Sequence, residues 1–205
     1  MNTSVRNTTR LLWGALRALL ALTLVTGVAY PLLVTGIAQA AFHDKANGSI
    51  VKVDGKAVGS ALIGQNFTLD GKPDGRPDPR YFQPRPSNSG YDPLATGSGQ
   101  LGASDPRLVK AIEKAKRQVA SFNGVPRSDV PKDAVTGSGS AIDPHISPAY
   151  ADIQVKRVAR ANGLSTAQVQ RLVDEHTGGR DLGVLGEPHV NVLKLNIAVQ
   201  EAAAH

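Results

Sequence analysis

From Ala18 to Phe42 the chain carries no charged residue, and the wider stretch Leu11–Phe42 (LLWGALRALLALTLVTGVAYPLLVTGIAQAAF) has one charge, Arg17. At 1.5 Å per residue, about 25 uncharged residues in a helix exceed the hydrocarbon core of a bilayer, about 30 Å. A helix of that length in a water-soluble core would keep a polar face, and this one has none. The stretch 11–42 is therefore expected to cross a membrane once, with a short segment 1–10 before it and a domain over 43–205 after it.

The distribution of charge sets an expected orientation. All 17 acidic residues follow Phe42, whereas three of the 23 basic ones, Arg6, Arg10 and Arg17, precede it. The positive-inside rule then keeps the N-terminus cytoplasmic and exports residues 43–205. Ala38-Gln39-Ala40 has the small-x-small form of a signal-peptidase site. The apolar run is much longer than the 7–15 residues of a signal h-region, however, so an uncleaved anchor is the favoured reading. The formal net charge of +6 divides equally on the two sides of Phe42. So small an excess on the domain gives no indication of nucleic acid, and no aromatic-and-basic cluster offers a stacking platform. The absence of cysteine excludes disulfides, thiolate metal sites and a lipoprotein anchor.

Within the span, Thr23, Gly27, Pro31, Thr35 and Gln39 recur every four residues. Such a row winds slowly around a helix, and its small and hydroxyl-bearing members let a second helix approach closely. Gln39 could hydrogen-bond across that contact, and Pro31 is expected to kink the helix. The row is thus a candidate helix-packing face for a membrane partner.

The remaining chain reads as α+β: one short β-hairpin and three to four helices. Asp54-Gly55 between two apolar runs is a two-residue hairpin turn. Residues 68–80 carry turn formers and charges with no apolar period, which predicts an exposed loop, and Tyr81-Phe82 then docks the chain on the core. A second irregular stretch extends to Ser104. Asp105-Pro106 opens a helix with an apolar stripe at Leu108, Ile112, Ala115, Val119 and Phe122, stopped by Asn123-Gly124. Ser147-Pro148 opens another, ended by Asn162-Gly163. Ser165-Thr166-Ala167-Gln168 is a capping box for a third, with Thr177-Gly178-Gly179 closing it. A last helix is expected from about Val192, capped by Asn191.

The densest constellation of functional groups is Ser138, Ser140, Asp143, His145 and Ser147. Ser138, Asp143 and His145 are the residue types of a hydrolase triad, and Asp143 with His145 could ligate a metal. A triad ordinarily draws on separate loops, there is no G-x-S-x-G elbow, and no third metal ligand is evident. The reading these residues favour is a shaped structural or interaction loop held by side-chain hydrogen bonds, with a membrane-anchored hydrolase or ligand binder as the alternative. Asn162–Gln168 is similar in outline to the Leu-Ser-Gly-Gly-Gln signature of ABC ATPases, which makes Ser165 and Gln168 candidate nucleotide contacts. Thr166 and Ala167 replace both glycines, and the capping box accounts for Ser165 and Gln168 without a ligand.

Taken in order, a set of short segments resembles the KdpC family, an accessory component of the Kdp-type potassium-transporting ATPases. They are Tyr30-Pro31-Leu32 with Thr35-Gly36-Ile37, then Gly59–Gln65, then Tyr81-Phe82 with Arg85-Pro86-Ser87. Val135–Ser140 with Asp143–Ser147 follows, and Gly186-Glu187-Pro188 with Val190–Leu193 closes the series. The chain departs from the family pattern in an insertion at 68–80, at Gly97–Leu101, and at His189, where arginine is common. The resemblance implies a non-catalytic accessory subunit, single-pass in a bacterial inner membrane, with its domain periplasmic. The implied partners are a channel-like potassium-translocating subunit, a P-type ATPase subunit, a small single-helix stabilising subunit and membrane lipid. It implies no cofactor of the chain's own. ATP enters through the P-type partner, whose ATP affinity the family is described as raising, and the family glutamine invoked in that role falls on Gln168. An exported domain cannot reach a cytoplasmic nucleotide, so the expected topology favours an ATP effect transmitted through the membrane helices.

Overall fold

The computed structural model describes residues 2–99 and 101–204, which divide between Ser49 and Ile50 into two compact units. The first is a long helix in three parts: α1 (Asn2–Leu24), a π-helical turn (Val25–Ala29) and α2 (Tyr30–Ala41). Residues Val5–Ala41 are long and apolar enough to cross a membrane. Helix begins at Asn2, well before the apolar run at Leu11, because nothing in Asn2–Arg10 breaks it. The π turn is the local response to Pro31. Proline has no N–H to give and its ring would strike the carbonyl four residues back, and widening the preceding turn relieves both. Tyr30 N–H accordingly donates to Val25 O, five residues back.

That turn also realigns the four-residue row. In an α-helix a four-residue step overshoots one turn, whereas in a turn closed over five residues it falls short. The π turn therefore cancels part of the drift between Thr23 and Thr35. Gln39 is engaged within its own unit. Its Nε2 donates to Asn47 Oδ1 at 3.2 Å and its Oε1 accepts from Asn47 Nδ2 at 3.0 Å, so it is not free to bond across a helix contact as expected. A short helix, α3 (His43–Ala46), carries Asn47 at its C-terminal end.

The second unit is mixed α and β, as the sequence predicts. Strands β1 (Ile50–Val53) and β2 (Lys56–Ser60) form the expected hairpin. Asp54 and Gly55 both adopt positive φ, 50° and 77°, the requirement of a tight turn that follows strand twist. Among the described residues four α-helices follow: α4 (Pro106–Asn123), α5 (Pro148–Asn162), α6 (Thr166–Glu175) and α7 (Val192–Ala203). Their starts are capped by Asp105, Ser147, Ser165 and Asn191, and Gly124 and Gly163 end α4 and α5 in the left-handed conformation.

Two features depart from expectation. A three-stranded antiparallel sheet in the order β3–β5–β4 joins His145–Ile146, His189–Asn191 and Thr177–Gly178. Thr177-Gly178, expected only to close a helix, is thus a strand, and so is part of the Ser138–Ser147 loop. Two-residue strands are too short to show a period of two in sequence. The second departure is Asp78, in the segment expected to be exposed. It is 2% exposed and paired with Arg80 at 2.7 Å, a contact that holds its carboxyl below the usual range.

The core is built by Ile146 and Val190 from the sheet, Val155 and Val158 from α5, Val169 and Val173 from α6, and Leu195 and Val199 from α7. Phe82 enters it fully buried, as the sequence anticipates. Its segment has no strand partner, so its buried peptide groups need other partners. Two side-chain amides supply them. Asn196 on α7 accepts from Phe82 N at 2.7 Å and donates to Phe82 O at 3.0 Å. Gln154 on α5 accepts from Gln83 N at 2.7 Å and donates to Gln83 O at 3.1 Å. Arg157 adds donors to Pro79 O at 2.6 Å and Tyr81 O at 2.9 Å, and its guanidinium lies 4.4 Å over the Phe122 ring of α4. Burial pulls that guanidinium down to about 10, which leaves it protonated.

Replacing Asn196 with Leu strands a buried N–H and a buried C=O, at a cost of about 2–5 kcal/mol. A change at the exposed Gln200 of the same helix to Ala should stay within about 0.5 kcal/mol. Urea denaturation of the full-length chain in detergent measures both, and equal effects would contradict the clamp.

Candidate functional site

The Ser138–Ser147 constellation is held between the N-terminus of α5, strand β5 and the irregular segment after Phe82. Asp143 begins the arrangement. Its Oδ1 accepts from the His145 backbone N–H at 2.9 Å, the local turn that an Asp two residues ahead of a donor makes readily. Its Oδ2 accepts from Arg85 Nη1 at 3.0 Å. Arg85 Nη2 reaches the carbonyls of Thr136 at 3.4 Å and Gly137 at 3.3 Å, so one guanidinium ties both limbs of the loop together. Arg85 Nε is buried with no hydrogen-bond partner.

Ser138 and Ser140 face each other at 3.4 Å, and Ser140 Oγ accepts from Ile142 N–H at 3.2 Å. Ser87 Oγ donates to Ala141 O at 2.6 Å and accepts from Tyr91 N–H at 2.9 Å. Tyr91 OH donates in turn to Arg85 O. Ala141, 1% exposed, is held at a φ of 64°, sparsely populated for a residue with a Cβ. Gly64 closes the packing: its N–H donates to Ile142 O at 2.8 Å, and a Cβ there would lie 2.6 Å from both Asp143 O and the Tyr91 ring.

At the other end, Ser147 is both a helix cap and an anchor. Its Oγ accepts from Tyr150 N–H at 3.1 Å and donates to Asp133 Oδ1 at 2.9 Å, while its own N–H donates to Asp133 Oδ2 at 2.7 Å. Arg85, Ser87 and Asp133 hold this site as firmly as the residues first singled out. Arg85 and Ser87 stand in the family-like segments without any chemical signal of their own, and Asp133 has no sequence signal at all.

A shallow cavity of about 330 Å³ opens beside the loop, lined by Arg85, Lys132, Asp133, Asp143, His145 and His189 among others. On the outer face of the sheet His145 and His189 meet edge to face, with ring centroids 4.5 Å apart. His189 Nδ1 lies 3.1 Å from Glu187 O, which makes that nitrogen the protonated one. His145 Nδ1 is 3.7 Å from Asp143 Oδ1. Burial, then His189 and Lys194, depress the His145 pKa, against the opposing pull of Asp143.

The arrangement does not form a triad. Asp143 pairs with Arg85, Ser138 faces Ser140, and His145 meets His189, so the contacts among the described residues do not link serine to histidine. Among the described residues no three His, Asp or Glu side chains converge as a metal set. Ser165 and Gln168 stand on the solvent side of α6 with the capping box complete. Gln168 Oε1 accepts from Ser165 N–H at 2.9 Å and from Ser165 Oγ at 2.7 Å, and Gln168 N–H returns a bond to Ser165 Oγ at 3.2 Å.

The depressed His145 pKa fixes a sign for the pH dependence. The unfolded chain takes up the proton near 6.5 and the folded chain only at lower pH. The contribution of this group to stability is therefore complete above pH 6.5 and is lost as pH falls through the folded value. His145→Gln should flatten the fall in thermal midpoint on acidification from pH 6.5, and an unchanged slope would contradict the coupling. Gly64→Ala should lower the midpoint at every pH, since the carbonyl it would strike is backbone.

Comparison with known proteins places this architecture. The family model described as K+-transporting ATPase, c chain, matches residues 12–201. The Potassium-transporting ATPase KdpC subunit of Streptomyces avermitilis is 52% identical over 220 aligned positions, covering 100% of this chain and 99% of the relative. The same-named protein of Sorangium cellulosum is 51% identical, covering 92% of this chain and 96% of the relative. That of Mycobacterium tuberculosis is 45% identical, covering 93% and 97%. With a matched helix long enough to cross a membrane and a matched mixed domain behind it, the chain belongs to the K+-transporting ATPase c-chain family.

Proposed function

We propose that the chain is a non-catalytic accessory subunit that assembles and stabilises an ATP-driven potassium uptake complex. The observation that carries this reading is the helix Val5–Ala41, long and apolar enough to cross a membrane, with large apolar side chains exposed: Leu11, Leu19 and Leu32 are 74%, 61% and 67% exposed. From Ala18 on the helix carries no charge on any side, and such a surface needs lipid, partner helices or both. Its row of small and hydroxyl-bearing residues, Thr23, Gly27, Pro31 and Thr35, is the proposed packing face. Beyond the helix's own neighbouring backbone, a Cβ at Gly36 would meet nothing within 4 Å and one at Gly27 only Thr23 Cγ2 at 3.8 Å, so these positions are open to a neighbour. The partners proposed are the channel-like potassium-translocating subunit, the P-type ATPase subunit and the small single-helix subunit.

The proposed orientation puts the N-terminus in the cytoplasm of a bacterial inner membrane and the mixed domain in the periplasm. In that orientation the subunit raises the ATP affinity of its P-type partner through the membrane helices, without touching nucleotide. The capping role of Gln168 supports this, because its Oε1 already accepts two bonds at the start of α6. The Ser138–Ser147 loop is proposed as a rigid docking element for a partner.

Gly27→Leu with Gly36→Leu should release the chain from the complex on co-purification while leaving the chain itself in the membrane. Unchanged co-purification would remove the packing face. A topology reporter fused after His205 should report the periplasm, and a cytoplasmic signal would instead revive direct nucleotide contact at Gln168. Ser138→Ala with His145→Ala should leave the isolated chain without any change in hydrolytic activity.

A further inference from the structure

The N-terminal end of α1 carries a feature that helix packing does not use. Arg6, Arg10, Trp13 and Arg17 fall within about 60° of one another around the axis at 3.6 residues per turn. Together with Thr9 and Gly14 they line a groove of about 570 Å³. Gly14 leaves the floor open, with nothing within 4 Å of the position a Cβ would take. The Arg17 guanidinium lies 6.0 Å from the Trp13 ring centroid, one turn towards the N-terminus. That direction follows from the helix itself, since every Cα–Cβ bond tilts towards the N-terminal end. The deepest of the three cations is thereby drawn back along the helix towards Arg10 and the start of the apolar run. No Asp or Glu precedes Asp44, so this helix supplies no carboxylate to any of the three arginines.

From this geometry we infer a binding site for the phosphate of an acidic phospholipid headgroup, built by Arg6, Arg10 and Arg17 with Trp13 as its wall. The inference rests on the proposed insertion of Val5–Ala41 into a bilayer. Guanidinium groups recognise phosphate oxygens through paired, charge-assisted N–H donors. The indole takes the headgroup level, where tryptophan is enriched in membrane proteins. The apolar residues that begin at Leu11 and run on past Arg17 hold the groove at the depth of the phosphates and leave the acyl chains alongside the leucines. Each arginine beside an anionic leaflet contributes a gain in affinity of about fivefold.

Trp13 is the chain's one tryptophan, so its emission reports the groove directly. The full-length chain in zwitterionic detergent is titrated with short-chain phosphatidylglycerol, short-chain phosphatidylcholine and inorganic phosphate in parallel. Phosphatidylglycerol should give a saturable change in Trp13 emission that weakens as salt is raised, and the other two should not. Arg10→Gln with Arg17→Gln should raise the half-saturating concentration at least about tenfold, and Arg10→Lys with Arg17→Lys by less. An equal response to phosphatidylcholine, saturation by inorganic phosphate alone, or a glutamine variant that titrates like the parent chain would each overturn the site. Quenching of Trp13 by brominated lipid in reconstituted bilayers tests insertion separately. Its absence would sink the membrane reading, whereas quenching without headgroup preference would sink only the lipid site.

Discussion

The second unit depends on the burial of a stretch of backbone that has no strand to pair with. Phe82 brings its ring into the core, and its peptide groups must follow it out of water. Asn196 and Gln154 each present an amide that both accepts and donates, the pattern a neighbouring strand would offer, and they grip Phe82 and Gln83 at 2.7–3.1 Å. Because these amides stand on α7 and α5, the clamp fixes the two helices against one segment. Arg157 extends it to α4 through Asn123 Oδ1 at 2.9 Å and the Phe122 ring. A buried polar group without a partner costs about twice what a made hydrogen bond returns, so this network is more sensitive to deletion than its net stability suggests.

The same logic accounts for the loop that looked most like chemistry. Its serines, aspartate and histidine are spent on geometry: Asp143 on Arg85 and a local turn, Ser147 on Asp133 and a helix cap, Ser140 on a backbone donor. What results is a rigid surface with two imidazoles at its edge and backbone strain at Ala141 over-determined by the contacts around it.

Much of the architecture was legible in the residues. Caps at Asp105, Ser147, Ser165 and Asn191, stops at Gly124 and Gly163, and the Asp54-Gly55 turn are local devices, each specified within about four residues. Phe82 was legible as a core residue because it ends a long polar run. The three-stranded sheet was not, since His145–Ile146 and Thr177–Gly178 are strands only by virtue of a partner distant in the chain. Nor was the burial of Asp78, whose charged neighbours in sequence disguised a buried carboxylate paired with an exposed Arg80. Of the site, Ser138, Asp143 and His145 were visible as types, but their pairing with Ser140, Arg85 and His189 followed from folding alone.

By itself the sequence determined that an uncharged helix long enough for a bilayer precedes a mixed domain. It also settled where most helices begin and end, since an apolar run and a capping group act through length and near neighbours. Only the structure decided what Pro31 does to its helix, which is a π turn that realigns the row from Thr23 to Thr35. It alone decided that Gln39 is bound within its own unit, and that Ser138, Asp143 and His145 meet Ser140, Arg85 and His189. Those outcomes turn on which groups meet across a fold. Hydrogen-bond partnership of that kind depends on distances of a few tenths of an ångström that no spacing in the chain encodes.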